Sequence, residues 1–402
     1  MLRGSFQLMK SLNRSMILNK IRLEGPISRA QIAKDTKLTP PTVSSIVKEL
    51  IEAGLVLESA QGESNGGRKP TMLVIHAKNF NIIGLDVGPK HIRTVLTDLN
   101  GQVLAANKNA ISLPITEEKL LSLMKKEIEY MLDSHVPNLD KMIGIGVGMH
   151  GVVDVHKGIS LFATNLQLRE IPIKEELERH FNMIVKVEND ARTMALGEAW
   201  FGNGNGINTL VAVNVGNGIG AGMVVDGKLY HGVHSIAGEI GHMTIAIGGR
   251  RCSCGNDGCL QTLAAGPAIA ELMEEELKAG KESLLSGFEQ TNREIDAELV
   301  HQAALQGDEL SIRVLEKAGT YLGIGLTNLI HTANPERIII GGGVSKAGDF
   351  ILKSVKETIQ KRALTDSVKQ TEIMLSKLGD NATAIGAASL LLVELFSPET
   401  LD

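Results

Sequence analysis

Cysteine is scarce in this chain, and long apolar runs are missing from it. Only three of the 402 residues are cysteines, and all three lie in the segment CSCGNDGC, from Cys252 to Cys259. An odd number of cysteines in one cluster argues against the disulfide framework of a secreted protein. No apolar run approaches the roughly 18 residues of a membrane-spanning helix, and charges interrupt the apolar residues at the start of the chain. We therefore predict a cytoplasmic protein with no membrane partner.

Charge is distributed unevenly along the chain, although the net charge is only -5. Residues 1–75 carry 11 Lys+Arg against 6 Asp+Glu, a balance of +5, and the remainder carries 30 against 40, a balance of -10. A basic head on an acidic body indicates that the head meets a polyanion. A modest imbalance of this kind is also found on ordinary solvated faces, so the charge alone does not decide the matter.

The basic head contains two predicted short helices in the stretch ISRAQIAKDTKLTPPTVSSIVKELIEAG. Ser28 and Gln31 form the pattern of a capping box before the first helix, and Thr39 followed by Pro40 is the start of the second. The preceding residues predict another amphipathic helix, and GLVLESAQGESNGGRKPTMLVIHA predicts two strands around a polar tip. Three helices and a hairpin resemble a winged helix-turn-helix, which we assign to residues 1–78.

A winged helix-turn-helix places one helix in the major groove of DNA while phosphate contacts set its register. The second helix turns Val43, Val47 and Leu50 to one side, which leaves small polar residues free on the other. Operator DNA is the predicted partner, although a protein-binding helical bundle or a simple linker would share this local pattern. The candidate DNA contacts are Ser28, Arg29, Thr39, Thr42, Ser44, Ser45, Lys48, Arg68 and Lys69.

The acidic body consists of apolar strands that run into glycine-rich turns. Such turns occur in NIIGLDVGPK, MIGIGVGMHG, TLVAVNVGNGIGAG and RIIIGGGVS. Glycine lets backbone amides approach a phosphate or a sugar closely, although any tight turn between buried strands also favours it. Four such turns separated by helical stretches predict an α/β protein with a ligand cleft between two lobes.

Six segments in order, GLDVG, VENDA, NGIGAG, AGEIGHMTI, CSCGNDGC and IIIGGGVS, resemble the ROK family of repressors and sugar kinases. The resemblance covers essentially the whole chain and, with the winged helix, is greatest to the xylose, N-acetylglucosamine and glucose-responsive repressors. It implies a two-lobed, actin-like and hexokinase-like fold. We expect lobes at residues 79–194 and 195–402, a zinc loop at 242–261, and a last helix that returns to the first lobe.

The cysteine cluster and His242 are the predicted metal ligands. His242, Cys252, Cys254 and Cys259 supply the Cys₃His donor set of a closed structural Zn²⁺ site. Soft sulfur ligands disfavour magnesium and calcium. The alternative is three buried free thiols packed as small hydrophobic side chains, which the glycines that bend this loop argue against.

The resemblance also implies a set of sugar contacts. In the family, the corresponding histidine touches both zinc and sugar, and the Asn-Asp pair binds adjacent hydroxyl groups. In other proteins an Asn-Asp pair is often only a turn or a helix cap. Gln261 stands where many family members carry Glu, which leaves in doubt the hydroxyl or amino group that it recognises. The implied sugar contacts are Gly151, Asn165, Asn189, Asp190, Glu239, His242 and Gln261.

Two turns that bind ATP phosphates in the family's kinases are altered here. The first reads DVGPKH instead of roughly Asp-x-Gly-Gly-Thr-Lys, and Pro89 removes a backbone N–H where the kinases have glycine. Lys90 replaces a hydroxyl residue, and Asn217 stands in the second turn where threonine is usual. We therefore expect no substantial kinase activity and no catalytic residue, with Asp190 equivalent to the kinase base.

The sequence thus predicts a repressor of carbohydrate-utilisation genes, such as those of xylose metabolism, that a sugar or sugar phosphate releases from DNA. The resemblance implies a homodimer or homotetramer. One alternative is a ROK sugar kinase, and another is a regulator whose effector is a partner protein.

Overall fold

The computed structural model describes residues 2–61, 70–288 and 294–396. The N-terminal unit contains three helices and an antiparallel sheet in the order β1-β3-β2, where β1 is a short strand that the sequence did not predict. The first helix begins at Leu2, well before the segment SMILNKIRLEG (15–25) for which the sequence predicts it. These elements are α1 Leu2–Glu24, β1 Ile27–Ser28, α2 Arg29–Thr36, α3 Pro40–Glu52, β2 Val56–Gln61 and β3 Thr71–Ile75.

The helix starts in this unit follow the predicted caps, with one difference. The Thr39 side chain accepts a hydrogen bond from the backbone N–H of Thr42, and Ser28 accepts one from Gln31 at 3.1 Å. The Gln31 amide donates to Asp35 at 2.7 Å. The Ser28 half of the predicted capping box therefore forms, while the Gln31 side chain bonds Asp35, one turn further along the helix.

The first lobe is built on a five-stranded sheet in the order β11-β7-β4-β5-β6. Strand β7 runs parallel to both β4 and β11. The strands of this sheet are β4 Asn81–Val87, β5 His91–Thr97, β6 Val103–Ala110, β7 Met142–Met149 and β11 Val185–Asn189. The other elements are α4 Glu117–His135, β8 Val152–Asp154, β9 Ile159–Ala163, β10 Leu168–Ile171 and α5 Ile173–Phe181.

The second lobe repeats this plan with a sheet in the order β14-β13-β12-β15-β16. Its strands are β12 Thr209–Val215, β13 Ile219–Val225, β14 Lys228–Tyr230, β15 Arg337–Gly341 and β16 Glu372–Leu375. Its helices are α7 Gln261–Ala264, α8 Gly266–Lys278, α9 Ala297–Leu305, α10 Glu309–Ala333 and α11 Asp349–Arg362. The cores of the two lobes consist mainly of Val, Ile, Leu and Met.

Two helices lie between the sheets. Helix α6 (Asp190–Phe201) contacts β12 and β13, and it also packs along α12 (Ala382–Phe396), which covers β4 and β7. Helix α6 is continuous across position 194, where the sequence analysis placed the boundary between the lobes. The last helix therefore lies against the first sheet, and α6 passes from one sheet to the other.

The N-terminal unit is attached to the body through a shared apolar core. Ile17, Leu18 and Ile21 of α1 are buried in the same cluster as Leu391 and Leu392 of α12. No helix in the described part of the chain has both the length and the hydropathy to cross a membrane.

Candidate functional site

The three cysteines and His242 form one cluster in the loop of the second lobe that runs from His242 to Cys259. One potential ligand atom from each of the four residues lies within 4.8 Å of the others. Cys252 Sγ is 3.6 Å from His242 Nδ1, and Cys254 Sγ is 3.7 Å from Cys259 Sγ. Tetrahedral Zn²⁺ with its usual bond lengths would separate two sulfurs by about 3.8 Å, and sulfur from nitrogen by about 3.6 Å. Both the donor set and its spacing therefore fit such an ion.

Backbone geometry shapes this loop. Gly255 and Gly258 have φ angles of +97° and +71°, and a Cβ on Gly258 would lie 1.7 Å from the carbonyl oxygen of Ala246. Only glycine fits there without moving the backbone. Burial, together with the neighbouring Cys252 and Cys254 sulfurs, raises the pKa of the Cys259 thiol to about 12.

Asn189 and Asp190 lie at the start of α6. Asn189 caps the helix, because its Oδ1 accepts from the backbone N–H groups of Ala191 at 3.0 Å and Arg192 at 3.1 Å. Its Nδ2 donates to the carbonyl of Gly151 at 2.9 Å, and the Asn189 side chain also hydrogen-bonds Asp190. The helix-cap reading of the Asn-Asp pair is therefore correct for Asn189, and this cap also holds the pair at the cleft.

Carboxyl groups from three elements meet at this end of α6. Burial raises the pKa of Asp190 to about 6, and burial together with the charge of Asp190 raises that of Asp86 to about 7. Burial also raises the pKa of Glu239, and His242 and Asp190 are charges that act on it. Asp190, Glu239 and His242 are half-buried, and the charges of His242 and Asp190 both act on Glu239, so the three residues lie near one another. Asp86 is not among the residues predicted for this site, although the sequence places it at the end of a buried strand.

The remaining predicted sugar contacts differ in position. The Gln261 amide donates to Cys252 Sγ at 3.4 Å, and its Oε1 lies 3.0 Å from the place where a Cβ on Gly241 would be. Gln261 thus lies between the cysteine cluster and the turn that carries His242. Asn165 is exposed in the turn between β9 and β10, and no hydrogen bond recorded for the described residues joins its side chain to the others. Its sugar contact stays a prediction.

A buried ion pair between Arg192 and Glu188 joins the first turn of α6 to the loop that precedes Glu239. The Arg192 Nε donates to Glu188 Oε1 at 2.8 Å, and these side chains are only 2% and 4% exposed. His231 Nε2 lies 2.7 Å from the other Glu188 oxygen, and Arg192 also donates to the carbonyl of Ser235 at 3.0 Å. Burial alone would raise the pKa of Glu188. The His231 hydrogen bond and the Arg192 charge outweigh burial and keep this pKa below its usual value. This network holds the loop that leads to Glu239, and no pattern in the sequence predicts it.

The first altered glycine turn offers few donors to a phosphate. The Gly88 N–H donates to the carbonyl of His91 at 3.0 Å, and Pro89 has no N–H. At most the amide of Lys90 remains free among these three residues. In the second turn Asn217 is exposed, and the Gly216 N–H donates to the carbonyl of Gly218 at 2.9 Å.

The candidate DNA contacts lie on and around α3. Ser44, Ser45 and Lys48 are exposed on this helix, while Thr42 is half-buried and its hydroxyl lies 2.8 Å from that of Thr39. Arg29 forms a 2.6 Å ion pair with Glu58, and the Ser28 hydroxyl accepts from the Gln31 backbone. The hydroxyls of Ser28 and Thr39 thus cap helices, while Arg68 and Lys69 lie outside the described residues.

Two family models match the chain. The model of the ROK family matches residues 82–394, and that of winged helix-turn-helix DNA-binding domains matches residues 11–56. A putative xylose repressor of Caldicellulosiruptor sp. (strain Rt8B.4) is 35% identical over 98% of both chains. An N-acetylglucosamine repressor of Escherichia coli O157:H7 is 34% identical over 96% of this chain and 94% of its own.

Solved structures agree with these matches. A ROK family transcriptional regulator, a homologue of the E. coli MLC protein, superposes with a TM-score of 0.85 and 31% identity over 97% of this chain and 98% of its own. A ROK family glucokinase from Streptomyces griseus, solved with glucose and AMPPNP, gives a TM-score of 0.70 and 28% identity over 77% of this chain and 98% of its own. The chain therefore belongs to the ROK family, and it combines the family's kinase-like α/β domain with an N-terminal winged helix-turn-helix.

Proposed function

We propose that this protein is a transcriptional repressor of carbohydrate-utilisation genes and that a sugar releases it from operator DNA. The observation that carries the proposal is one chain in which a winged helix-turn-helix is packed onto a ROK domain. Relatives that align over nearly the whole chain are named repressors of xylose and N-acetylglucosamine systems. A DNA-bound regulator of this kind acts in the cytoplasm.

The proposed sugar pocket consists of Asn189, Asp190, Glu239, His242 and Gln261. It suits a sugar because these side chains offer several hydrogen-bond donors and acceptors close together. Asp190 and Glu239 supply carboxylate oxygens, and the Asn189 amide lies beside Asp190, to which it hydrogen-bonds. Paired hydroxyl groups on a sugar ring can donate to the carboxylates and accept from the amide. Gln261 adds a neutral amide at the edge of the pocket, where it distinguishes this site from family members with a charged glutamate.

The Cys₃His cluster would hold a structural Zn²⁺. Such an ion ties the loop of Cys252–Cys259 to His242 and stabilises the folded pocket. The His242 Nδ1 faces Cys252, at 3.6 Å from its sulfur. A metal on Nδ1 leaves Nε2 protonated and able to donate to a sugar hydroxyl, which fixes the orientation of this donor.

The altered glycine turns favour a sensor over a kinase. Phosphate binding by a glycine turn depends on several converging backbone amides. Here the amide of Gly88 is occupied and that of Pro89 is absent. Asp190 keeps the position of a kinase base, but the phosphoryl donor would lack its usual support. The effector is then a sugar or a sugar phosphate that is bound and not turned over.

A direct test uses the purified protein and a fluorescent DNA site selected from a random library with this protein. We expect xylose or N-acetylglucosamine, or one of their phosphates, to lower the anisotropy of the bound DNA, and Asp190→Asn to require far more sugar. A coupled assay for ADP release tests the kinase alternative, and turnover at ordinary rates would refute our proposal. A protein effector would instead leave DNA bound at every sugar concentration. Sedimentation of the same complex would show whether a dimer or a tetramer binds.

A further inference from the structure

Helix α6 connects the candidate sugar pocket with the winged helix. Asp190 is its first residue and Asn189 its cap, and both lie in the pocket. Its last residues, Trp200 and Phe201, lie at the opposite end, beside α1. With 12 residues, the helix spans about 18 Å at 1.5 Å per residue.

The far end of α6 meets the winged helix through an aromatic and cationic contact. The Arg22 guanidinium carbon lies 4.1 Å from the centre of the Trp200 ring and 5.5 Å from that of Phe396. The rings of Trp200 and Phe396 are 6.0 Å apart. Arg22 of α1 therefore touches both α6 and α12, and a partly buried guanidinium over an indole is a favourable pair.

Helices α6 and α12 cross with their backbones in contact. A Cβ on Gly386 would lie 1.7 Å from the carbonyl oxygen of Thr193, and one on Gly197 would lie 2.8 Å from that of Ala382. No layer of side chains separates the helices at this crossing. Because close-packed interfaces transmit strain instead of absorbing it, α6 cannot shift along its axis without moving or repacking α12.

Helix α1 passes such a shift to the DNA-reading helix. Ile17 and Ile21 of α1 are 0% and 1% exposed, and they share a core with Val43 and Leu50 of α3. Arg22 follows directly after Ile21. A change in the position of the Arg22 end of α1 therefore alters how α3 is held relative to the body.

We propose that α6 carries the effector signal from the pocket to the winged helix and that the contact between Arg22 and Trp200 is the joint between them. This inference rests on the proposed function, since it requires a sugar at Asp190. A ligand that hydrogen-bonds the Asn189 amide and the carboxylate of Asp190 acts on the first turn of α6. The proposal requires two arrangements of α6 that differ by a shift along its axis. If the ligand binds one arrangement more tightly than the other, the difference in binding free energy shifts the winged helix.

The test compares Arg22→Met and Trp200→Leu with a matched control, Arg14→Met. Arg14 is exposed on the same helix, so its removal makes the same change in charge without touching α6. Three quantities are measured for each protein with xylose, or with whichever sugar of the panel releases the wild type: sugar affinity without DNA, DNA affinity without sugar, and DNA affinity at saturating sugar. The coupling factor is the ratio of the two DNA affinities.

We expect Arg22→Met and Trp200→Leu to keep sugar affinity within about twofold and to lower the coupling factor at least about fivefold. Arg14→Met should keep the wild-type factor. If Arg22→Met and Trp200→Leu each retain that factor, or lose no more of it than Arg14→Met, the inference is wrong while the proposed function stands. A variant that loses DNA affinity beyond Arg14→Met but keeps its coupling factor would likewise show a merely structural contact. A wild-type factor of one would refute the proposed function itself and the inference with it.

Discussion

Replacement of Arg192 by methionine should destabilise the body of the protein strongly. The side chains of Arg192 and Glu188 are 2% and 4% exposed, so Arg192→Met leaves the Glu188 carboxylate buried without its guanidinium. Methionine preserves much of the volume and the apolar stem but donates no hydrogen bond. The carbonyl groups of Ser235 and Ala237 lose a donor at the same time, at 3.0 and 3.4 Å.

The size of the effect follows from the burial of the pair. Breaking a buried ion pair on one side costs about 3–5 kcal/mol, because an uncompensated charge stays in the interior. His231 can offset part of this, since its Nε2 lies 2.7 Å from Glu188 Oε2 and its side chain is 33% exposed. We therefore expect the lower end of that range, about 3 kcal/mol.

The assay is urea unfolding followed through Trp200, which is the only tryptophan of the chain. Glu188→Gln combined with Arg192→Met removes both charges and should recover more than half of the loss, to within about 1.5 kcal/mol of the wild type. The reasoning would be refuted if Arg192→Met cost less than about 1 kcal/mol, or if the two single losses simply added in the double variant.

Three further predictions concern the metal, the cleft carboxylates and the helix crossing. The purified protein should carry about one zinc per chain, measured by atomic emission, and Cys252→Ser should lose most of it together with the sugar response; a full sugar response in metal-free protein would contradict this. Because burial raises the pKa of Asp86 from 3.8 to about 7, the folded state holds this proton more tightly, so the free energy of unfolding should fall as pH rises from about 4 to about 7. Asp86→Asn should flatten that dependence, and an unchanged slope would mean that Asp86 does not titrate in this way. Gly386→Ala places a Cβ 1.7 Å from the backbone of α6, so it should cost about 1–3 kcal/mol or more in urea unfolding, whereas Gly343→Ala, which meets nothing within 4 Å, should cost much less.

Local patterns in the sequence predicted local structure well. The helix starts at Ser28 and Thr39 depend on neighbouring residues only, and both caps form. The cysteine cluster was equally visible because its ligands lie within one loop, apart from His242 ten residues before Cys252. Relatives and solved structures confirm the family assignment that the glycine turns and these cysteines suggested.

Features that depend on distant residues were not predicted. Glu188 and His231 lie 43 positions apart, and Arg22 and Trp200 are separated by most of the winged helix and the first lobe. No helix or strand periodicity in the sequence predicts such pairs, because tertiary packing alone brings them together. The raised pKa of Asp86 has the same origin, since it depends on burial between lobes. The pattern at Ser28 likewise did not show that the Gln31 side chain would bond Asp35.

The central claim is that a sugar releases this repressor from DNA. The most direct test is to measure, by calorimetry, the dissociation constant of that sugar with and without saturating operator DNA. Coupling between two sites is reciprocal, so a sugar that weakens DNA binding must itself bind more weakly to the DNA complex by the same factor. The account predicts a ratio of at least about ten between the two sugar dissociation constants. Equal dissociation constants would contradict it.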